Sequence, residues 1–138
     1  MGRRRQAREV ALQALYLADT ARMSPSDAYA IVRVGAGLDA PSDAFTRELI
    51  DGASARKSEL DERIARVAEN WALDRMAAVD RNLLRLSAFE LLFCLQTPVK
   101  VAIDEALEIA KIYSSAESSK FINGILDKIK AERPAQAE

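Results

Sequence analysis

The sequence contains no histidine and only one cysteine in 138 residues. Without histidine, the commonest general base and metal ligand are missing. A single thiol excludes an internal disulfide framework. Glycine (five) and proline (four) are scarce, and aromatic residues form only 6% of the chain, which leaves little material for turns or sheet cores. No Gly-rich phosphate loop, Walker motif or zinc-ligand spacing occurs. No apolar run reaches membrane-spanning length, and the charged N-terminus lacks the uninterrupted apolar segment of a secretory signal. These absences predict a cytoplasmic protein without enzymatic activity, cofactor or metal. Its single thiol, Cys94, falls in the most apolar stretch and reads as structural.

What is present is alanine, leucine and charge. Hydrophobic residues make up 49% of the chain and charged residues 30%, a mix that favours an all-helical protein with a real core. The length suits one domain, or one domain of two closely packed halves. Net charge is −1, but it is unevenly spread. The first eight residues hold four arginines and no acid, leaving −5 for the remainder. A protein that grips nucleic acid over its whole surface is usually basic overall, so any such grip here is local and shared with a partner.

The arginines run directly into a helical pattern. Ala7, Val10, Ala11, Ala14, Leu15 and Ala18 repeat at the spacing of one helix face, and Arg4, Arg5, Arg8, Leu12 and Tyr16 fall on an adjoining one. A guanidinium pairs bidentately with phosphate, and a ring offers a stacking surface for an unpaired base. The alternative is a solvated helix start or a trafficking arm. Four cations in a first turn oppose the helix dipole, which argues for a use of the charge outside the helix.

Punctuation divides the rest. The first helix is predicted over about Arg4 to Asp19. Ser24-Pro25 restarts a short second helix with Ala28, Ile31, Val32 and Val34 on its apolar side, ending at Gly35-Ala36-Gly37. Pro41-Ser42 opens a third, with Gly52 weakening it near its end. From Lys57, Leu60, Ile64, Val67 and Trp71 mark a fourth, with Trp71 read as core in preference to an RNA contact beside Arg75, and Asp74 as a cap for the fifth. The stretch Arg81–Leu95 is apolar nearly all round and is expected to be buried on most sides. Its polar margin, Arg81 and Arg85, suits a salt bridge to Asp80, Asp104 or Glu105. Thr97-Pro98 opens a helix to Tyr113, and a last helix runs from about Glu117 to Lys130, burying Ile122, Ile125, Leu126 and Ile129. Gly124 in its middle suggests close backbone packing. Phe121, beside Lys120, lies at the edge of that face, as an exposed stacking ring or as peripheral core. Residues Glu132–Glu138 read as a frayed tail.

Four blocks in order carry a family resemblance. Arg4-Arg5-x-Ala7-Arg8-Glu9-x-Ala11-Leu12-Gln13-Ala14-Leu15-Tyr16 resembles the opening of the bacterial transcription antitermination factor NusB family. Val79-Asp80-Arg81-Asn82-x-Leu84-Arg85-Leu86 with Glu90-Leu91, Thr97-Pro98-x-x-Val101-Ala102-Ile103-x-Glu105-Ala106 with Ala110-Lys111, and Lys120-Phe121-Ile122-Asn123-Gly124-Ile125-Leu126-Asp127 agree with it in turn. Asp104 departs from the Asn common in the family, a small change. A related domain precedes ribosomal RNA cytosine methyltransferases, but no catalytic Cys motif or cofactor loop accompanies it here.

The resemblance implies an all-α fold of about seven helices in two roughly perpendicular bundles. These would be an N-terminal subdomain over 1–56 and a C-terminal one over 57–132, with a tail at 133–138. It implies binding of single-stranded boxA RNA together with NusE, a small-subunit ribosomal protein, in an antitermination complex on RNA polymerase. Family RNA-binding positions fall on Arg4, Arg5, Arg8, Tyr16 and Phe121, with Arg3 and Lys120 as neighbours. Family NusE contacts fall near Asp80 and Glu117. A homodimer using some apolar surface is compatible with the sequence, and one covering the arginine helix would have to open before RNA binds.

Overall fold

The computed structural model describes residues 2–69 and 71–134, and among them the chain forms seven α-helices and two 3₁₀ turns, with no strand. The helices are α1 (Arg3–Ala21), α2 (Pro25–Val32), α3 (Ala40–Ala55), α4 (Lys57–Val67), α5 (Ala78–Phe93), α6 (Val99–Tyr113) and α7 (Ala116–Ile129). The turns are Leu73–Arg75 and Lys130–Glu132. No described helix is long and apolar enough to cross a membrane.

The predicted central helix is α5. Every residue from Asn82 to Leu92 is buried, because α5 touches α1, α3, α4, α6 and α7. A helix surrounded in this way has no solvent face to keep polar, which is why its sequence is apolar nearly all round. Around it, α1 packs on α2 and α3, while α4 and α6 pack on α7. The expected inward faces of α1 and α7 are buried, except that Ala18 of α1 is only partly covered.

Several boundaries differ for local reasons. Ser24 caps α2 as expected, accepting from the Asp27 amide at 3.0 Å. The third helix instead starts earlier than Pro41-Ser42, because Asp39 accepts from the Ser42 amide at 2.9 Å. Pro98 itself stands at the α6 N-cap, one residue beyond the expected Thr97. Asp74 does not cap α5. It lies inside a 3₁₀ turn, and Ala77 precedes α5 with no side-chain cap. On α2, Ala28 and Tyr29 are the buried residues, while Ile31 stands exposed, and Val34 is exposed in the turn after the helix ends at Val32. Trp71 is 56% exposed rather than core, since α4 ends at Val67 before reaching it.

Two glycines exchange the roles expected of them. Gly124 faces open space, with nothing within 4 Å of where a Cβ would stand. Gly52 is the close approach: a Cβ there would lie 1.9 Å from the Phe89 ring. The ring of α5 rests directly on the α3 backbone and fixes how near the two helices stand. Arg85 also differs from expectation, pairing with Asp61 at 2.7 Å and Asp19 at 3.3 Å. Burial works to raise the Asp19 carboxyl, but hydrogen bonds from Asn82 and Arg81 outweigh it and hold it below its ordinary value. Cys94 is buried, and desolvation with nearby Glu48 and Glu90 pushes its thiol up to about 12. Part of the expected tail is anchored, because the Arg133 guanidinium donates to the carbonyls of Leu91, Leu95 and Thr97. Residues 135–138 lie outside those described.

Gly52→Ala is expected to cost about 1–3 kcal/mol, because the Phe89 ring must move out of a packed core. Gly124→Ala should instead stabilise by up to about 1 kcal/mol, as Ala replaces Gly in an open helix interior. Urea denaturation of the two variants, read at unchanged m-value, checks both signs.

Candidate nucleic-acid interface

The N-terminus of α1 has no acid in its first turn and no side-chain cap, so its four arginines decide what surrounds it. They fan out to four different places. Arg3 meets Asp39 at 3.0 Å, before α3. Arg4 sits over the Phe45 ring of α3, its Cζ 4.0 Å from the centroid. Arg5 reaches α6, its Nε and Nη2 donating to Glu105 at 2.9 and 2.8 Å. Arg8 reaches α5, donating to both oxygens of Glu90 at 2.8 and 2.6 Å.

These partners sort the arginines. Arg8 is 6% exposed and Glu90 2%, so this pair is part of the core, not of the surface. The predicted face of Arg4, Arg5, Arg8, Leu12 and Tyr16 is therefore split. Leu12 and Arg8 are buried, while Tyr16 stands 40% exposed. Arg5 and Glu105 are half-buried, and the guanidinium's hydrogen bond holds the Glu105 carboxyl below its ordinary value. Arg4 alone is exposed with no carboxylate partner among the described residues.

The second group sits on α7. Phe121 is half-buried and packs against the core edge, between the two readings the sequence left open. Its ring meets Trp71 edge-on, with centroids 5.9 Å apart. Lys120 beside it is exposed. Glu117, in the first turn of α7, is also exposed, where its charge complements the helix dipole. Asp80 accepts from the Ser118 hydroxyl at 2.9 Å, and its other oxygen is buried without a hydrogen-bond partner. A depression of about 240 Å³ gathers Trp71, Arg75, Asp80, Glu117 and Phe121 on one wall of the molecule.

Among the described residues, the ring contact of Phe121 is with Trp71, and those of Arg4 and Arg8 are with Phe45. The link between the groups is a relay of polar contacts. Gln13 of α1 donates to the Tyr113 hydroxyl at 3.0 Å, and the next residue, Ser114, bonds Ser118 at 2.9 Å, one turn before Phe121. Two residues escaped sequence reasoning, and the core reading preferred for Trp71 gives way to a surface ring. Phe45 as a seat for Arg4 left no signal, since an aromatic in an apolar pattern reads as core. Glu90 did leave one: a lone acid in an apolar helix requires a cation, and Arg8 supplies it.

Comparison with known proteins places these features in a family context. The NusB family model matches residues 5–131. A transcription antitermination protein NusB of Elusimicrobium minutum is 49% identical over 135 residues, covering 96% of each chain. That of Heliobacterium modesticaldum is 48% identical over 136 residues, covering 98% of this chain and 66% of the relative. Among solved structures, T. maritima NusB superposes with a TM-score of 0.88 at 38% identity, covering 96% of this chain and 93% of that one. A crystal structure of antitermination factors NusB and NusE in complex with dsRNA has a chain that superposes at 0.88 and 26% identity, covering 95% of this chain and 98% of that one.

Removing Arg8 would strand a buried carboxylate. Arg8→Ala is expected to lower stability by about 3–5 kcal/mol, and the double change Arg8→Met with Glu90→Leu to recover most of it. Arg4→Ala should cost less than about 1 kcal/mol. Chemical denaturation of the three variants measures the contrast.

Proposed function

The chain belongs to the NusB family, and from that premise we propose that it is an RNA-binding transcription antitermination factor acting through contacts, without catalysis. It binds the boxA element of nascent ribosomal RNA transcripts together with NusE, within an antitermination complex on RNA polymerase in the cytoplasm. The observation that carries this reading is Arg4, an exposed guanidinium seated on Phe45 at a helix N-terminus with no acid paired to it among the described residues. A cation held by a ring but unpaired is preorganised for phosphate.

Arg3, Arg4 and Arg5 supply the phosphate contacts, with Lys120 adding charge from α7. Tyr16 and Phe121 offer faces to unstacked bases, and Trp71 braces Phe121 from the side. Arg8 acts at one remove, as a positioning residue that seats α1 on α5 through Glu90. The first 56 residues thus carry the arginines, and residues 57–132 carry the protein-binding wall. Asp80 and Glu117 suit a basic ribosomal protein such as NusE, with Glu117 exposed in the first turn of α7. Because Phe121 lines the same depression, RNA and NusE would meet at adjoining surfaces and bind cooperatively. The RNA-competent form is the monomer, since a dimer covering α1 would have to open.

Anisotropy of labelled boxA RNA, with and without NusE, tests this. Wild type should prefer boxA over a scrambled oligonucleotide, and NusE should strengthen binding. Arg4→Ala should weaken binding and flatten its salt dependence by about one released counterion. Phe121→Ala should weaken RNA binding about tenfold, in line with the loss of one base–aromatic stack. Equal binding of boxA and the scrambled RNA would instead make the protein an adaptor for acidic surfaces.

A further inference from the structure

Four arginines and no acid open the sequence, yet in the fold three of those arginines are matched by carboxylates from distant segments. The three pairs differ in what RNA can do to them. Arg3 and Asp39 are 78% and 37% exposed in their side chains, so that pair is screened and opens easily. Arg8 and Glu90, at 7% and 2%, are beyond the reach of a phosphate. Arg5 and Glu105 lie between, at 24% and 21%. They are open enough for a strand to touch and shielded enough for the pairing to matter. Glu105 also occupies the edge of the Arg5 fork, Nε with Nη2, that would clasp a phosphate bidentately. Its Oε1 lies 3.6 Å from Nη1 of Arg8, so one carboxylate spans two arginines of the stretch.

We propose that Glu105 is an internal competitor for RNA, holding Arg5 in the place of a phosphate until a strand displaces it. The proposal rests on the RNA-binding reading above. A carboxylate and a phosphodiester each bring one negative charge to the guanidinium, so the exchange itself yields little. Arg5 is released only to a strand that is already held by other contacts, such as Arg4 and the rings. The carboxylate thereby converts a local cation into one conditional on the rest of the site. Glu105→Gln removes the competing charge and keeps a hydrogen-bond acceptor of the same length. Arg8 retains Glu90, so α1 stays seated on α5 in this variant.

The test is a double-mutant comparison on the full chain, using labelled boxA RNA and scrambled RNA at two salt concentrations. Glu105→Gln is expected to bind boxA about three- to tenfold tighter than wild type, the scale of one exchanged surface ion pair. In an Arg5→Ala background the same change should bring no gain, because the competitor has lost its object. Glu105→Asp keeps the charge but shortens the reach, and is expected to give a smaller gain at unchanged thermal stability. An unchanged or weaker affinity in both Glu105 variants would overturn the proposal. So would an equal gain with Arg5 absent, which would mark a general charge effect. If neither wild type nor any variant prefers boxA over scrambled RNA, the RNA-binding reading itself falls, and this proposal with it.

Discussion

The buried pair between Arg8 and Glu90 is the contact on which the arrangement of α1 depends. A carboxylate in the middle of an apolar helix is costly to desolvate unless a cation meets it with both oxygens satisfied. Arg8 does so with two hydrogen bonds, and no other cation is within salt-bridge reach of Glu90 among the described residues. The register of α1 across α5 is therefore specified by charge as well as by the small residues Ala7, Ala11 and Ala14 that permit close approach. With that register set, Arg4 falls over Phe45, Arg5 over Glu105, and Gln13 beside Tyr113. The surface arginines owe their positions to the one that never reaches the surface.

A similar economy operates around Asp19. Arg81, Asn82 and Arg85 converge on Asp19, and Arg85 continues to Asp61, tying α1 and α4 to the central helix. Beyond them the polar contacts thin out, and a surface of Trp71, Phe121 and Asp80, the last held by Ser118, remains. Groups already satisfied inside the chain hold the frame.

How much of this is legible in the sequence depends on the range of each interaction. Helix periodicity is local, so the seven helices and the buried character of α5 can be read directly. Capping is nearly local, and the differences there are shifts of one or two residues, as at Asp39 and Pro98. Partner choice is not local. Sequence patterns match Arg85 with acids near it or in a shared motif, whereas its actual partners lie 24 and 66 residues away. The same reason hides the burial of Arg8, whose partner is 82 residues distant. Glycine shows the limit in another form. Gly52 and Gly124 look alike in a helical pattern, and only the neighbouring helix distinguishes a Phe ring from open space.

The anchoring of Arg133 bears on motion at the far end of the molecule. Helices unravel most readily from free ends, and α7 is the last long helix of the chain. Its end is not free, because three main-chain oxygens around the α5–α6 turn hold the guanidinium just beyond it. Breathing of α7 from that end must first break this clasp, and α7 carries both Glu117 and Phe121. Amides along α7 should accordingly exchange with solvent as slowly as those of an interior helix. The helix that carries Glu117 and Phe121 is thereby held at its C-terminal end as well as along its buried face.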